Sequence, residues 1–285
     1  MNLGAHLSVA GGISKSVARA EAVTATALQI FTRNQRQWAA KPLDADEVRA
    51  FRDERERSAI DGAIAHASYL INLATPDETS WQRSLETLAD EFDRAEVLGL
   101  DGVVFHPGAH VGSGLDAGLA RVATAVRTIL RTRKGHRCRI LFETTVGAGT
   151  QIGGRFEEIA RLLATSGRIK QLGVCLDTCH VFAAGYDLRT AAAYRRTRRT
   201  FDSIIGLDHL AAIHLNDSKG KLESHLDRHE HIGRGRIGVE GFRALMRDER
   251  MASVPKVLET PKGTYRNQDW DKKNLTLLRR LRDAG

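Results

Sequence analysis

Histidines and acidic residues end a series of short apolar runs in this chain of 285 residues. Six runs end in this way, at His66, His106, Glu143, Asp177, His214 and Glu259. Successive positions are roughly 35 to 45 residues apart, the length of one strand, one helix and two loops. Imidazole and carboxylate groups are the side chains that bind zinc and similar divalent cations in proteins. Because the carboxyl ends of parallel strands meet at one rim, this pattern predicts a metal centre.

Three further candidate ligands lie outside these runs. His180 closely follows Asp177, whereas Asp227 and His229 lie in residues 216–238, a charged segment without helical periodicity that is predicted to be a long functional loop. Side chains two positions apart in an extended segment face the same way, so Asp227 and His229 can bind one ion. The complete set exceeds the roughly four ligands that one zinc ion takes, which favours two or three ions. A buried ionic network without a cation is the less favourable interpretation.

The elements that must position these residues are eight predicted strands. They are short apolar runs near residues 2–6, 27–31, 62–66, 102–106, 139–143, 172–177, 210–214 and 255–259. Amphipathic helical patterns separate them, as in residues 81–98. Eight such units predict an α/β fold, a (β/α)8 TIM barrel with the metal site at the C-terminal rim of the strands. Because no proline-rich or low-complexity linker interrupts the sequence, we expect residues 1–285 to form a single TIM-barrel domain.

Composition points to the partner and the location. The formal net charge of +8 indicates an anionic partner, with nucleic acid as the first choice. Three cysteines make no disulfide framework, which favours a cytoplasmic location, and Cys175 and Cys179 are expected to be packing residues. No apolar segment reaches the roughly 18 residues that span a bilayer, so no membrane partner is expected. Nothing in the sequence requires a dimer, and we expect a monomer.

The remaining histidines are not assigned to the metal centre. His6 ends the first predicted strand and could enter the site, but it has no carboxylate near it in sequence. The other five lie in predicted loops or helix ends and are expected to be exposed to solvent: His110, His136, His209, His225 and His231. The basic run 195–199 is predicted to be the solvated face of an outer helix.

Longer motifs carry a resemblance to a known family. They are HASYLINLA at 66–74, FHPGAH at 105–110, DTCHVFAAGYD at 177–187, HLNDSK at 214–219 and DRHEHIGRGRIG at 227–238. These motifs resemble, in the same order, those of the endonuclease IV family of apurinic/apyrimidinic (AP) endonucleases. The similarity runs from FTRNQRQW at 31–38 to LETP at 258–261, and several independent motifs are more specific than one short pattern.

The resemblance implies three Zn²⁺ ions per chain. The implied ligand groups are His66 with His106 for the first ion, Glu143 bridging to Asp177, His214 and Glu259 for the second, and His180, Asp227 and His229 for the third. It also makes Glu143 and Glu259 the catalytic residues. Metal ions that share Glu143 can share the attacking water and lower its pKa, so no histidine base is needed.

The implied activity is zinc-dependent hydrolysis of the DNA phosphodiester 5′ to an abasic site, with a 3′-hydroxyl product, in base excision repair. This is the deoxyribonuclease IV type, or phage-T4-induced class, of endonuclease, and trimming of blocked 3′ ends is a further expected activity. The implied partner is double-stranded DNA containing abasic or 3′-blocked lesions. Arg36 and Tyr69 would wedge into the duplex, and Asn34 and Gln35 would add minor-groove contacts. Extrusion of the nucleotide costs least where no base is left to unstack.

The loop after Glu143 departs from the family pattern, which commonly has alanine at Val146 and glutamine at Ala148. Two other functions fit the residues less well. A sugar isomerase or epimerase on a similar barrel would need only one or two metal ions and would gain little from a positive surface. A noncatalytic DNA-binding protein with structural metals would bind DNA in a salt-dependent way but would show no turnover.

Overall fold

Eight parallel strands close a barrel in the computed structural model, which describes residues 1–167 and 169–283. The strands, β1 to β8, are Leu3–His6, Ala27–Ile30, Gly62–His66, Gly102–Phe105, Arg139–Glu143, Leu172–Asp177, Leu210–His214 and Lys256–Leu258. Each strand pairs with the next in chain order, and β8 closes the sheet by pairing Val257 with Gly4 of β1. The predicted TIM barrel is therefore confirmed, and all eight predicted strands are present.

Helices surround the barrel. The described residues contain α1 to α9 at Lys15–Ala22, Ala45–Arg57, Glu78–Leu98, Leu115–Thr132, Phe156–Thr165, Thr178–Ala183, Ala191–Ile204, Val239–Met246 and Trp270–Asp283. The sequence sets the helix ends, as in α3, where the Asp77 carboxylate accepts a hydrogen bond from the Ser80 N–H and Gly99 adopts a left-handed conformation. None of the described helices is both long and apolar enough to cross a membrane.

The main hydrophobic core lies between the sheet and these helices. Leu88, Phe92 and Ala95 of α3 recur at helical spacing and are fully buried in it. Burial of each large side chain of this kind stabilises the fold by roughly 1.5–3 kcal/mol. The basic run 195–199 lies on α7, where most of its side chains are exposed, as predicted.

A smaller apolar cluster fills the interior of the barrel. Seven strands each supply one residue to it: Ala27, Ile64, Val104, Leu141, Cys175, Ala212 and Val257. Side chains alternate along a strand, so the side chain two positions later faces the same interior, nearer the carboxyl end. Those positions hold Gln29, His66, His106, Glu143, Asp177, His214 and Glu259. The apolar cluster is therefore a floor beneath a ring of polar side chains.

The loop predicted at residues 216–238 contains a short two-stranded ribbon that the sequence did not indicate. Asp217–Ser218 pairs antiparallel with His229–Glu230. The carboxylate of Asp217 also accepts hydrogen bonds from the N–H groups of Gly233, Gly235, Ile237 and Gly238. One buried carboxylate thus holds together a segment whose sequence has no regular pattern.

Candidate metal centre

Glu143 at the end of β5 is the centre of the polar ring. Its side chain is fully buried, and its Oε2 lies 3.0 Å from Nε2 of both His66 and His106. Its Oε1 lies 2.8 Å from Nδ1 of His214 and 3.4 Å from Nδ1 of His180. Burial by itself raises the pKa of Glu143, but the surrounding imidazoles hold that pKa well below its usual range. Glu143 is therefore a carboxylate whose two oxygens face different imidazole groups.

A second group of side chains gathers around Nδ1 of His214. Glu259 Oε2 lies 3.2 Å from this nitrogen and Asp177 Oδ2 lies 3.8 Å from it. The ligand atoms of Glu143, Asp177, His214 and Glu259 all lie within 4.8 Å of one another. Three carboxylates in one buried space repel each other strongly, so this arrangement favours a cation among them.

The third group joins the barrel to the 216–238 segment. His180 lies on α6, directly after β6, and its Nε2 is 3.3 Å from Asp227 Oδ1. His229 Nε2 lies 3.5 Å from the same oxygen and 3.4 Å from His180 Nε2. Burial raises the pKa of Asp227, but the two imidazoles outweigh this effect and lower it to about 2. Asp227 is thus an ionised carboxylate beside two imidazole nitrogens.

Backbone carbonyls fix how three of these rings are oriented. The Nδ1 atoms of His66, His180 and His229 donate to the carbonyls of Ala67, Thr144 and Glu259 at 2.7, 2.8 and 3.3 Å. A carbonyl oxygen only accepts, so each neutral ring has its proton on Nδ1 and its lone pair on Nε2. The lone pairs of His180 and His229 then face each other, which is unfavourable unless a proton or a cation lies between them.

This donor set fits divalent cations of the zinc type. Imidazole nitrogens and carboxylate oxygens converge, and the neighbouring hydrogen bonds leave their lone pairs directed inward. Burial lowers the pKa of His66, but Glu143 outweighs that effect and raises it to about 9, which shows how strongly the site attracts positive charge. Cys175 and Cys179 lie near two of the groups, yet burial raises the pKa of both thiols, to about 12 for Cys179. Protonated thiols are poor ligands, which agrees with their predicted packing role.

The structure brings all nine predicted ligands together in three groups of the predicted composition. The groups are His66, His106 and Glu143; Glu143, Asp177, His214 and Glu259; and His180, Asp227 and His229. Their role as ligands stays a prediction.

The predicted DNA-contacting residues lie on two adjacent loops at the same rim. Asn34, Gln35 and Arg36 follow β2, and Tyr69 follows β3 with 60% of its surface exposed. The Ser68 hydroxyl donates to the Gln35 carbonyl at 2.8 Å, which ties the two loops together. Asn34, Arg36 and Tyr69 are exposed, whereas Gln35 is half-buried. Exposed side chains on loops that are tied in this way suit contact with a large ligand.

Helix α3 supports both loops from below. The buried carboxylate of Glu91 accepts from the Ser68 N–H at 2.8 Å and from the Thr32 hydroxyl at 3.2 Å. Arg33 is occupied by Asp90, at 2.9 Å, and by the Trp38 carbonyl. Arg33 is therefore a structural residue, whereas Arg36 is exposed to solvent.

Sequence reasoning missed Gln29 and gave too little weight to His6. Gln29 is fully buried in the polar ring and contacts two proposed ligands, and His6 Nδ1 lies 3.5 Å from Glu259 Oε1. The position of Gln29, two residues beyond Ala27 of the apolar floor, is the sequence feature that could have revealed it.

His231 corrects another prediction. It is only 8% exposed and stacks on Trp270 at 3.7 Å, so it is not a solvent-facing loop residue.

His225 is exposed as predicted, but its Nδ1 donates to the Val146 carbonyl at 2.7 Å. This contact uses the backbone, so the departure from the family pattern at Val146 does not remove it.

Comparison with known proteins supports the fold and shows the family. Residues 17–281 match the family model described as a xylose isomerase-like TIM barrel. The chain is 48% identical to a probable endonuclease 4 of Chloroflexus aurantiacus over 278 residues, which cover 98% of this chain and 97% of that one. It is 46% identical to a probable endonuclease 4 of Geobacter sulfurreducens, with coverage of 98% and 94%.

Solved structures give the same result. The crystal structure of endonuclease IV from Thermus thermophilus matches with a TM-score of 0.88 at 37% identity and covers 100% of both chains. A D-tagatose 3-epimerase-like protein matches with a TM-score of 0.74 at 16% identity, covering 99% of this chain and 95% of that one. At that identity the likeness extends to the barrel fold alone.

Proposed function

The chain belongs to the endonuclease IV family of DNA repair nucleases, and from this premise we propose that it is a zinc-dependent AP endonuclease. The proposed reaction is hydrolysis of the DNA phosphodiester 5′ to an abasic site, which leaves a 3′-hydroxyl. The single observation that carries the proposal is the convergence of nine ligand-type side chains into three groups, two of which share Glu143. A donor set of this size exceeds what one catalytic ion takes.

Zinc ions bound by these groups would polarise the phosphate oxygens and bring the pKa of an attacking water towards neutrality. The chain's own part is to hold the donors in place. Glu143 spans two groups because its oxygens face different imidazoles, and the Nδ1 hydrogen bonds of His66 and His180 keep their Nε2 lone pairs directed at the site. Rigid donors of this kind need little reorganisation during the reaction.

Selectivity for damaged DNA is assigned to the two tied loops. Arg36 and Tyr69 are exposed at the rim, where an aromatic ring and a guanidinium can fill the space of an extruded nucleotide. Asn34 and Gln35 on the first loop would contact the minor groove. The net charge of +8 favours approach to the phosphate backbone.

We extend the proposal to trimming of blocked 3′ ends, because these present the same kind of phosphodiester to the same site.

Three further proposals accompany this function. Residues 1–285 act as one domain, because β1 and β8 pair with each other and close the barrel. The chain acts as a monomer, because the nine proposed ligands converge within it and the site needs no residue from a second copy. The three free, buried cysteines support a cytoplasmic location.

The test is nicking of a DNA duplex that carries a single tetrahydrofuran abasic analogue. We expect zinc-loaded protein to cut the damaged strand. We expect Glu143→Gln to reduce kcat/KM by at least about 10³-fold, or roughly 4 kcal/mol of transition-state stabilisation, because the carboxylate that two ligand groups share loses its charge. Glu86→Gln, at an exposed position of α3, is the matched control and should keep full activity. Absence of nicking by fully loaded wild-type protein would reject the proposed function.

A further inference from the structure

Gln29 lies in the polar ring between two proposed metal ligands. It sits on β2, its side chain is completely buried, and it carries no charge. Its amide oxygen is 2.8 Å from Nε2 of His214, and its amide nitrogen is 2.6 Å from Oε1 of Glu259 and 2.9 Å from Nδ1 of His6. The neutral side chain of Gln29 therefore contacts two members of the second ligand group, His214 on β7 and Glu259 directly after β8.

The chemistry of these partners fixes which way the amide faces. A carboxylate only accepts hydrogen bonds, so the amide N–H must face Glu259, and the amide oxygen must then face His214. An amide oxygen also only accepts, so the proton of the neutral His214 ring lies on Nε2. The lone pair is then on Nδ1, the atom that lies 2.8 Å from Glu143 Oε1 and 3.2 Å from Glu259 Oε2.

We infer that Gln29 is a positioning residue that fixes the tautomer of His214 and the rotation of the Glu259 carboxylate, so that both face the same cation. This inference rests on the proposed zinc centre and names the residue that prepares one of its ion sites. An outer hydrogen bond of this type sets which ring nitrogen is free to bind metal.

Gln29 differs from the groups that orient the other rings. His66, His180 and His229 donate to backbone carbonyls, which no side-chain substitution removes. His214 depends on a side chain, so its orientation can be tested by mutation. In the absence of the amide, a proton on Nδ1 of His214 would compete directly with the ion.

The experiment compares Gln29→Met with wild type. Methionine has a similar volume but neither donates nor accepts a strong hydrogen bond. Metal-free proteins are titrated with Co²⁺, followed by its visible absorption, and with Zn²⁺ in competition with a chromophoric chelator. We expect one of three ions to bind about 10- to 100-fold more weakly in Gln29→Met, with the other two unchanged. Leu28→Met is the matched control, because Leu28 is the buried neighbour on β2 and packs in the outer core.

Two further measurements separate positioning from a structural role. In the metal-free state, Gln29→Met and Leu28→Met should both unfold in a single cooperative transition, with midpoints well above the temperature of the titrations. In zinc-loaded wild type, NMR should show a slowly exchanging Nε2 proton on His214, and this proton should exchange faster in Gln29→Met. Should the methionine variant fail to fold, Gln29→Asn takes its place with the same expectations, because its shorter amide cannot reach both partners.

Unchanged affinity for all three ions in Gln29→Met would overturn the inference and leave the proposed function standing. Equal weakening of all three ions together with a lower unfolding midpoint would also overturn it, because that result describes a general loss of structure. If wild-type protein itself binds no ions, the proposed function fails, and the inference falls with it.

Discussion

The strand-end ligands and the loop ligands of the proposed metal centre are held in different ways. Glu143, Asp177 and His214 are fully buried at the ends of adjacent barrel strands, where the sheet fixes their backbone. Asp227 and His229 come from the 216–238 segment, and their side chains are 45% and 19% exposed. The barrel thus positions the first set before any ion binds. The second set depends on a surface segment, whose backbone is tied by Asp217.

This difference has a thermodynamic consequence. Removal of a buried charge leaves the opposite charges of its partners buried and unpaired. Where the removed side chain is partly exposed, water can solvate those partners instead. Strand-end substitutions should therefore destroy the site, and loop substitutions should only weaken it.

Among the substitutions that compare the two sets of ligands, the largest effect is expected for Asp177→Asn. Asp177 accepts from Asn216 Nδ2 at 2.6 Å with one oxygen and from the His180 N–H at 2.8 Å with the other. The asparagine keeps the shape of the side chain, but it removes the buried charge and one of these two hydrogen bonds, because an amide has a single acceptor oxygen. We expect kcat/KM on abasic DNA to fall by about 10³-fold, equivalent to roughly 4 kcal/mol, and added zinc not to restore it. Asp116→Asn, at an exposed position of α4, is the control. Recovery of Asp177→Asn at high zinc would contradict the comparison.

A smaller effect is expected for Asp227→Asn. Because this carboxylate is partly solvated, we expect a loss of about 10- to 100-fold at low zinc, or roughly 1.4–2.8 kcal/mol, and recovery as the zinc concentration rises. The measurement is the zinc dependence of the nicking rate. A loss as large and as permanent as that of Asp177→Asn would show that the two sets of ligands do not differ.

Two buried carboxyl groups, one inside the centre and one outside it, differ in the direction of their pKa shifts. Imidazoles hold the pKa of Glu143 low, whereas burial raises the pKa of Glu91 from 4.5 to about 7. Between pH 4.5 and about pH 7 the folded protein keeps a proton on Glu91 that the unfolded chain releases. The free energy of unfolding therefore falls as pH rises through this window, by up to about 3 kcal/mol from this group.

The smallest effect on activity is expected for Glu91→Gln, which removes this titration. The variant should lose less stability than wild type between pH 5 and pH 8, as measured by urea unfolding of the metal-free proteins. The difference between the two proteins isolates Glu91, because the other titrating groups are common to both. Parallel stability curves would show that Glu91 does not titrate in this range.

The local sequence pattern was sufficient for the barrel and for the convergence of the strand-end ligands, whereas the division of the nine candidate ligands into three groups was implied by the resemblance to the endonuclease IV family. Each apolar run that ends in a histidine or carboxylate is a local pattern, and the closure of eight parallel strands then brings the ends together. Gln29 was missed because one uncharged amide in an apolar strand is not distinctive by itself. Its position two residues beyond Ala27 was the available signal, and the sheet register is what places it beside His214 and Glu259.

Long-range contacts account for the other errors. His231 is buried because it stacks on Trp270 of α9, and no local pattern near His231 encodes that partner. In the same way, Asp217–Ser218 pairs with His229–Glu230, and the Asp217 carboxylate accepts from the Gly233 N–H. These partners lie too far along the chain for a local pattern to indicate them.

Anomalous X-ray scattering at the zinc edge from crystals of the zinc-loaded protein is the most direct test of the central claim. We expect three peaks inside the barrel rim: one between His66, His106 and Glu143, one between Glu143, Asp177, His214 and Glu259, and one between His180, Asp227 and His229. Peaks that lie elsewhere, or a rim without zinc at saturating concentration, would contradict it.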